Sequence, residues 1–293
     1  MEKPAVKLIE CPRDAMQGIK EFIPTDVKVA YLNDLLRVGF DTIDIGSFVS
    51  PKAIPQMADT AEVLDRIDLE GVRSRLLVIV ANERGAEDAV QHAQVHYLGY
   101  PFSISETFQQ RNTNTTIEGS WGRIARIAEI AHRGGKELVV YISMAFGNPY
   151  GDPWNADVAL KWTQRLVNEL GVRIIALSDT VGVARPTDVH YMFDALLREW
   201  GGEGRNAAVE FGAHLHARPD NWLPKVEAAW AAGCRRFDGA LRGHGGCPMA
   251  KDDLVGNLAT ELLAAHLERV GVDTGLDMAR LERSVQAAAT VFP

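Results

Sequence analysis

Short apolar runs rich in β-branched residues alternate with longer segments of helical spacing about eight times along this chain. Such runs predict parallel strands buried on both faces, and the segments between them predict crossover helices. The strand candidates are residues 6–10, 42–45, 75–80, 95–100, 137–144, 173–177, 208–214 and 236–240. The clearest helical segments are residues 26–38, 121–132, 158–170, 186–200, 220–232 and 254–270. The alternation predicts an α/β fold.

Eight such units in 293 residues match a (β/α)8 TIM barrel, a fold that typically takes about 250 residues. The alternative is a doubly wound open sheet, which usually has a glycine-rich phosphate turn after its first strand. Here C-P-R-D-A, at residues 11–15, follows the first strand, without a G-x-G-x-x-G pattern. We therefore predict a single TIM-barrel domain over residues 1–293, with an additional C-terminal helix at residues 277–291.

The charge and cysteine content limit the partners and the compartment. A net charge of −8 argues against a nucleic-acid surface or a polybasic membrane anchor, so an anionic substrate would need a local cationic pocket. No stretch is apolar for long enough to span a bilayer, and the first residues lack a signal-peptide pattern. Three widely spaced cysteines indicate a reducing compartment. We expect a cytoplasmic protein without nucleic-acid or membrane partners.

Polar residues stand at or just after the ends of several predicted strands. Active sites of TIM barrels lie at the C-terminal ends of the strands, because the loops there converge on one rim. The residues at these positions are Arg13, Asp14, Asp44, Asp179, Thr180, His214 and His216, and Cys247 and Asn257 follow the last strand. We predict that this rim holds the active site.

His214-Leu215-His216 predicts a pair of metal-binding imidazoles, because residues two apart on a strand point to the same side. The alternative is an ordinary pair of histidines at a strand end. Arg13 offers a fixed positive fork for a developing oxyanion, and Asp14 offers a hard oxygen ligand. For these two residues, the alternative is an adjacent ion pair or a helix cap.

Asn257 can complete a mixed nitrogen and oxygen site with a neutral amide oxygen, or it can cap a helix. A set of two histidines, an aspartate and an asparagine suits Mg²⁺, Mn²⁺ or Co²⁺, and can take Zn²⁺. Cys247 lies in a glycine-rich turn that favours proton transfer by a movable thiol over metal ligation, although a small filler in a tight turn is the alternative. Lys52 is a candidate for binding an anionic group, or belongs to a solvated turn.

Six motifs give the chain a likeness to a known family. They are P-R-D-A-M-Q at residues 12–17, G-S-F-V-S-P-K-A-I-P-Q-M at 46–57, S-D-T-V-G at 178–182, H-x-H at 214–216, G-G-C-P at 245–248 and G-N-L-A-T-E at 256–261. With these motifs in this order, the chain resembles the 3-hydroxy-3-methylglutaryl-CoA lyases, metal-dependent barrels related to the isopropylmalate synthases. The S-F-V-S-P-K and G-G-C-P elements are specific to the lyases.

The resemblance implies a role for each matching residue. The implied metal ligands are Asp14, His214, His216 and Asn257, and the metal is Mg²⁺ or Mn²⁺, with Zn²⁺ and Co²⁺ as alternatives. The implied catalytic residues are Arg13, Asp44, His214 and Cys247. Substrate contacts are expected from Gln17, Ser47, Asp179 and Thr180. A homodimer is also expected.

The implied reaction is the retro-Claisen cleavage of 3-hydroxy-3-methylglutaryl-CoA to acetyl-CoA and acetoacetate, as in leucine breakdown or ketone-body formation. Arg13 would stabilise the acetyl-CoA enolate. Either His214 or Cys247, the latter on a mobile loop, would protonate the enolate carbon. Three alternatives remain: the same cleavage of a related 3-hydroxyacyl-CoA, a Claisen-type synthase, and a non-catalytic barrel that binds a metal or a CoA ester.

The chain departs from the family pattern at four places. Asp44 stands where the family usually has Glu, and Ala15 replaces a glycine; both lie at the catalytic rim. Residues 217–221 replace an acidic, glycine-containing continuation, and His244 stands where an apolar residue is common. The reaction class is unaffected by these departures, whereas the acyl group stays open.

Overall fold

The eight strands form one closed parallel barrel in chain order, with the first strand paired to the last. This description comes from a computed structural model and covers residues 5–201, 209–246 and 255–292. The strands are β1 (Lys7–Glu10), β2 (Thr42–Ser47), β3 (Arg75–Ile79), β4 (Val95–Ser103), β5 (Glu137–Ser143), β6 (Ile174–Asp179), β7 (Glu210–Leu215) and β8 (Arg236–Gly239). The (β/α)8 prediction is confirmed.

Helices surround the barrel. They are α1 (Pro12–Gln17), α2 (Thr25–Leu36), α3 (Thr60–Arg66), α4 (Glu83–Val90), α5 (Glu106–Thr113), α6 (Ile117–Arg133), α7 (Ala156–Leu170), α8 (Pro186–Trp200), α9 (Trp222–Ala231), α10 (Thr260–Arg269) and α11 (Met278–Val291). The additional C-terminal helix is α11, which Asp277 caps by accepting the N–H of Arg280. The single-domain boundaries, 1–293, stay a prediction.

Alternation along each strand divides the core into two layers. On β5, Val139 and Tyr141 point into the barrel and join a small interior cluster, whereas Val140 and Ile142 join the large cluster between strands and helices. Both layers are apolar, which is why the strands read as continuous apolar runs in the sequence. The interior layer fills the barrel below the rim, and active sites of TIM barrels lie on the loop side.

The helix predicted at residues 254–270 begins later than its pattern indicated. It begins at Thr260, because the backbone before that residue pairs with other segments. Asn257 forms a β-bridge with His216, and Ala259 forms one with Ala240. The sequence also missed four short helices, α1, α3, α4 and α5. Each has eight residues or fewer, which is too short for a clear 3.6-residue period.

Glu10 joins β1 to both ends of the segment that follows β8. Its Oε1 accepts the N–H of Leu241 at 2.8 Å, and its Oε2 accepts the hydroxyl of Thr260 at 2.6 Å. The side chain is fully buried, and burial raises its pKa to about 8, against the lowering effect of these hydrogen bonds. Between pH 4.5 and about 8, Glu10 is therefore protonated in the folded protein and ionised in the unfolded chain.

This shift predicts a loss of stability with rising pH. Because its pKa is higher in the folded state, Glu10 contributes its full stabilisation of the fold below pH 4.5, the unfolded value. That contribution disappears as the pH rises towards about 8. Since a shift of one pKa unit changes the free energy of unfolding by about 1.4 kcal/mol, the melting temperature should fall by several degrees between pH 5 and 8. Glu10→Gln, which mimics the protonated acid, should flatten this slope in thermal melts. Glu137→Gln, at an exposed position, should not; equal slopes for all three proteins would contradict the prediction.

Candidate active site

Asp14, His214 and His216 meet at the C-terminal rim of the barrel. One ligand atom from each lies within 4.8 Å of the others. Pro12 starts α1 just after β1 and leaves Asp14 buried in its first turn. The end of β7 and the residue after it present the two imidazoles on one side, with ring centroids 5.3 Å apart. Leu215, between them, packs into the outer core. The period-two reasoning therefore holds at this position.

His216 has the properties of a metal ligand. Its ring is buried, and neither Nδ1 nor Nε2 has a hydrogen-bond partner. Burial lowers its pKa to about 4, so the imidazole is neutral at pH 7 and its lone pair is free. Buried polar atoms rarely lack partners in folded proteins. A bound divalent metal would satisfy His216, and the cluster fits that group.

Asp238 holds the other histidine. Its Oδ2 lies 3.1 Å from His214 Nδ1, which leaves Nε2 for a ligand. Burial opposes protonation of His214, but the hydrogen bond and the charge of Asp238 raise its pKa above the ordinary value. Carboxylates commonly orient metal-binding histidines in this way. Cys11 also lies within 4.8 Å of these two residues, but burial raises the pKa of its thiol, so it is a neutral neighbour.

Arg13 lies between two carboxylates. Its Nε and NH2 donate to Asp44, with Nε 3.0 Å from Oδ2, and its NH1 donates to Asp14 and to Gln17, each at 2.9 Å. Gln17 in turn donates to Asp14 at 2.7 Å. Burial would raise the pKa of Asp14, but the charge of Arg13 and both nearby histidines lower it to about 2. Asp14 is therefore a carboxylate at neutral pH.

Asp44 was predicted to be catalytic, and the structure places it behind Arg13. Both of its oxygens accept from the guanidinium, its side chain is almost fully buried, and it does not line the cavity described below. Burial raises its pKa to about 6 in spite of Arg13. This position suits a residue that orients Arg13 better than one that contacts substrate.

Asn257 reaches the site from the segment after β8. Its Nδ2 donates to Asp14 Oδ2 at 2.7 Å and to the carbonyl of His244 at 2.9 Å. Gly245 packs directly on it: a Cβ there would lie 2.6 Å from Asn257 Nδ2 and 2.9 Å from the carbonyl of Asp14, and its φ is +95°. Only glycine fits there. Asn257 does not cap α10, because Ala259 holds the N-cap position.

A cavity of about 500 Å³ opens above the cluster. The predicted site residues that line it are Arg13, Asp14, Gln17, Ser47, Thr180, His214 and His216. Thr180 Oγ1 also accepts the backbone N–H of Met144 at 2.8 Å, and the hydroxyl of Ser47 is buried without a partner. Arg111 and Arg123 add positive charge, and Tyr141 lies edge-on to His214.

Asp179 does not line the cavity. Its Oδ2 accepts a hydrogen bond from Lys225 at 2.7 Å, and its carboxylate also accepts the N–H of Ala184. Sequence reasoning missed Arg111, Arg123 and Tyr141 in the cavity wall, and it also missed Lys225 and Asp238, which lie behind the site. An aspartate inside the apolar run of β8 was a usable signal, whereas a lysine on a helix was not, since helical lysines are usually exposed.

Cys247 lies outside the described residues, and its predicted role stays a prediction. Cys11 and Cys234 are free and buried. Lys52 is exposed and does not line the cavity. His244 packs on Phe292 with ring centroids 4.7 Å apart, so this departure from the family pattern forms a contact with the end of the C-terminal segment.

Replacing Asp238 with asparagine should weaken metal binding. The amide can present an N–H to His214 Nδ1 and thereby favour the tautomer that carries its proton on Nε2. Loss of such a partner typically reduces metal affinity or activity by about 10–100-fold. Metal titration would measure the affinity, and ¹⁵N NMR of the metal-free protein would report the tautomer. Glu210→Gln, which changes a carboxylate that accepts a hydrogen bond from the buried Arg236, serves as the control. Unchanged affinity in Asp238→Asn would contradict this role.

The fold and the site together define a (β/α)8 barrel with a histidine–aspartate cluster suited to a divalent metal at its active rim. The chain belongs to the HMGL-like family, whose model matches residues 5–288. Within the described residues, no helix has the length and apolar character needed to cross a membrane.

Several characterised proteins are similar over most of their length. A 3-hydroxy-3-isohexenylglutaryl-CoA/hydroxy-methylglutaryl-CoA lyase from Pseudomonas aeruginosa is 34% identical over 293 residues, covering 98% of this chain and 93% of the relative. The cytoplasmic 3-hydroxy-3-methylglutaryl-CoA lyase of Rattus norvegicus is 34% identical, covering 93% and 77%. The structure of an HMG-CoA lyase from Acinetobacter baumannii, in complex with coenzyme A and 3-methylmalate, matches with a TM-score of 0.90 and 30% identity, covering 98% and 91%.

Proposed function

We propose that this protein is a carbon–carbon lyase that cleaves 3-hydroxy-3-methylglutaryl-CoA to acetyl-CoA and acetoacetate with the help of a divalent metal. The observation that carries the proposal is the joint placement of Arg13, Asp14, His214 and His216 on one cavity. Membership of the HMGL-like family and relatives named for this activity support it.

The cluster supplies ligands of the type that Mg²⁺ and Mn²⁺ accept, and Co²⁺ or Zn²⁺ also suit it. Asp14 would provide a charged oxygen, and His214 and His216 would provide neutral nitrogens. Asn257 is a fourth candidate through its amide oxygen. When bound, such an ion lowers the pKa of a coordinated hydroxyl group and stabilises negative charge on oxygen. The identity of the ion is part of the proposal.

Arg13 performs the electrostatic part of the cleavage. The hydroxyl proton of the substrate passes to a water molecule, the C–O bond becomes the ketone of acetoacetate, and the electrons of the broken C–C bond form the enolate of acetyl-CoA. The guanidinium of Arg13 faces the cavity and is held in place by Asp44, so it can stabilise the enolate oxygen without reorganising. A proton added to the enolate carbon completes the reaction.

His214 cannot supply that proton while it binds a metal. Asp238 occupies Nδ1, so only Nε2 remains, and one nitrogen cannot serve both purposes at once. We propose that Nε2 would hold the metal and that Cys247, the cysteine of the G-G-C-P motif, protonates the enolate.

The cavity also explains how an acidic protein attracts an anionic acyl-CoA. The chain carries a net charge of −8, which disfavours anions at long range. Arg13, Arg111 and Arg123 all line the cavity and reverse this sign locally. Arg111 lies over the ring of Tyr150, with its guanidinium carbon 4.6 Å from the ring centroid, and this contact fixes its position.

A second candidate is the same cleavage of a 3-hydroxy-3-alkylglutaryl-CoA with a longer branch. The cavity of about 500 Å³ is partly apolar, and Val49, Ile54, Ile79 and Phe108 contribute to its wall. The Pseudomonas aeruginosa relative carries both substrates in its name.

A cytoplasmic location fits the two free, buried cysteines, Cys11 and Cys234. The homodimer stays a prediction, which light scattering would test.

Acetoacetate release from 3-hydroxy-3-methylglutaryl-CoA tests the proposal. Purified protein would be assayed with Mg²⁺ or Mn²⁺, then after chelation, and then with the metal restored. A longer-branched 3-hydroxyglutaryl-CoA would run in parallel. Product that disappears on chelation and returns with metal supports the lyase. Folded, metal-binding protein that releases no product from either ester would overturn it.

A further inference from the structure

Lys225 is a buried lysine on α9. It belongs neither to the metal-type cluster, which is Asp14, His214 and His216, nor to the cavity wall. It is 2% exposed, although the helix that carries it lies on the outside of the barrel. Its ammonium group donates three hydrogen bonds: to Asp179 Oδ2 at 2.7 Å, to the carbonyl of Gly182 at 3.0 Å and to the carbonyl of His216 at 3.0 Å. An ammonium has three donors, and all of them are used.

These bonds connect three separate segments to one point. Asp179 ends β6, Gly182 lies in the loop before α8, and His216 directly follows β7. Asp179 extends the connection by accepting the N–H of Ala184 at 3.0 Å. The residue on either side of Asp179 lines the cavity, so Lys225 fixes both a metal-type ligand and part of the cavity wall.

The position of His216 depends on its main-chain contacts more than the position of His214 does. Asp238 orients His214 through the ring, whereas neither ring nitrogen of His216 has a hydrogen-bond partner. Two contacts of its backbone help to set the position of His216, the carbonyl bond to Lys225 and the bridge to Asn257. Oriented ligands bind metals more tightly than loose ones.

We infer that Lys225 is a positioning residue that presents His216 to a divalent metal. This inference rests on the proposed metal-dependent function. Removing Lys225 alone would leave Asp179 as an unpaired buried carboxylate, which strongly destabilises a protein. The informative variant therefore changes both residues, Lys225→Met with Asp179→Asn. A second variant, Lys225→Arg, keeps the charge next to Asp179 but spreads the donors over a planar fork.

Titration of the whole, metal-free protein with Co²⁺ tests the inference. Dissociation constants would come from calorimetry, and the visible spectrum of bound Co²⁺ reports the ligand geometry. Both variants should bind Co²⁺ about 10–100-fold more weakly than the wild type, with an altered spectrum. In Lys225→Arg, which keeps Asp179, excess Co²⁺ should restore cleavage activity in proportion to occupancy.

Lys136→Met is the matched control. Lys136 also donates three bonds to carbonyl groups, those of His92 at 3.0 Å, Ala93 at 3.3 Å and Val95 at 2.6 Å. These lie at the start of β4, on the opposite rim of the barrel. This variant should lower the melting temperature without changing Co²⁺ affinity.

Two results would overturn the positioning role of Lys225: wild-type affinity and spectrum in both Lys225 variants, or equal weakening in Lys136→Met. Failure of the wild type itself to bind Co²⁺ would instead remove the basis of the proposed function, and the inference with it. The wild-type titration therefore separates the two failures.

Discussion

Replacing Arg13 with lysine is expected to lower kcat for acyl-CoA cleavage by about 10²–10³-fold, the usual consequence of losing a donor that stabilises an oxyanion. All three nitrogens of the Arg13 guanidinium are used: Nε and NH2 contact Asp44, and NH1 contacts both Asp14 and Gln17. A lysine offers one nitrogen and cannot span these partners while it also faces the substrate. The charge is kept in this variant, so the loss measures the geometry of the guanidinium.

The experiment needs a control for the general effect of exchanging an arginine. Arg75→Lys changes the first residue of β3, at the far end of the barrel, where the guanidinium donates to Tyr97. This variant should keep wild-type kcat and KM. Metal titration and thermal melts of Arg13→Lys would show that the site and the fold persist. A kcat within threefold of the wild type would remove Arg13 from the mechanism.

Replacing Asp14 with asparagine is expected to weaken metal binding by more than about 100-fold, since even partners one step further from a metal contribute 10–100-fold. Asp14 supplies the negative charge of the cluster, and its carboxylate accepts hydrogen bonds from Gln17 and Asn257. An amide removes the charge and turns an N–H towards one of these donors. Cleavage should be lost at metal concentrations that saturate the wild type.

Asp44→Asn is the matched variant for this second experiment. Both aspartates are buried and contact Arg13, but Asp44 lies outside the metal-type cluster. Asp44→Asn should therefore keep metal affinity and lower kcat through a loosened Arg13. Calorimetric titration with Mn²⁺ distinguishes the two variants. If both lose the metal equally, Asp14 acts through Arg13 and not as a ligand.

The alternation of the sequence predicted the barrel because parallel strands buried on both faces must be apolar throughout. It also placed His214 and His216 on one side, since side chains alternate along a strand. The gathering of Arg13 and Asp14 with the histidines followed from the fold, because every strand of a TIM barrel ends at the same rim. These predictions needed only local periodicity and the strand order.

Residues that act through others could not be predicted in the same way. Asp44 follows the rule for a catalytic position, yet its oxygens contact Arg13, because its short side chain ends at the guanidinium. Asn257 reads as part of a helix, yet its backbone pairs with His216. These outcomes depend on distances between segments that are far apart in the chain.

The sequence by itself determined the architecture of eight alternating strands and helices and the gathering of Arg13, Asp14, His214 and His216 at one rim. Only the tertiary structure decided that Asp238 holds His214, that Lys225 holds His216 and that Asp44 holds Arg13. The physical reason is that a motif records which groups can bind or react, whereas the groups that orient them are chosen by packing between strands and helices that share no local pattern.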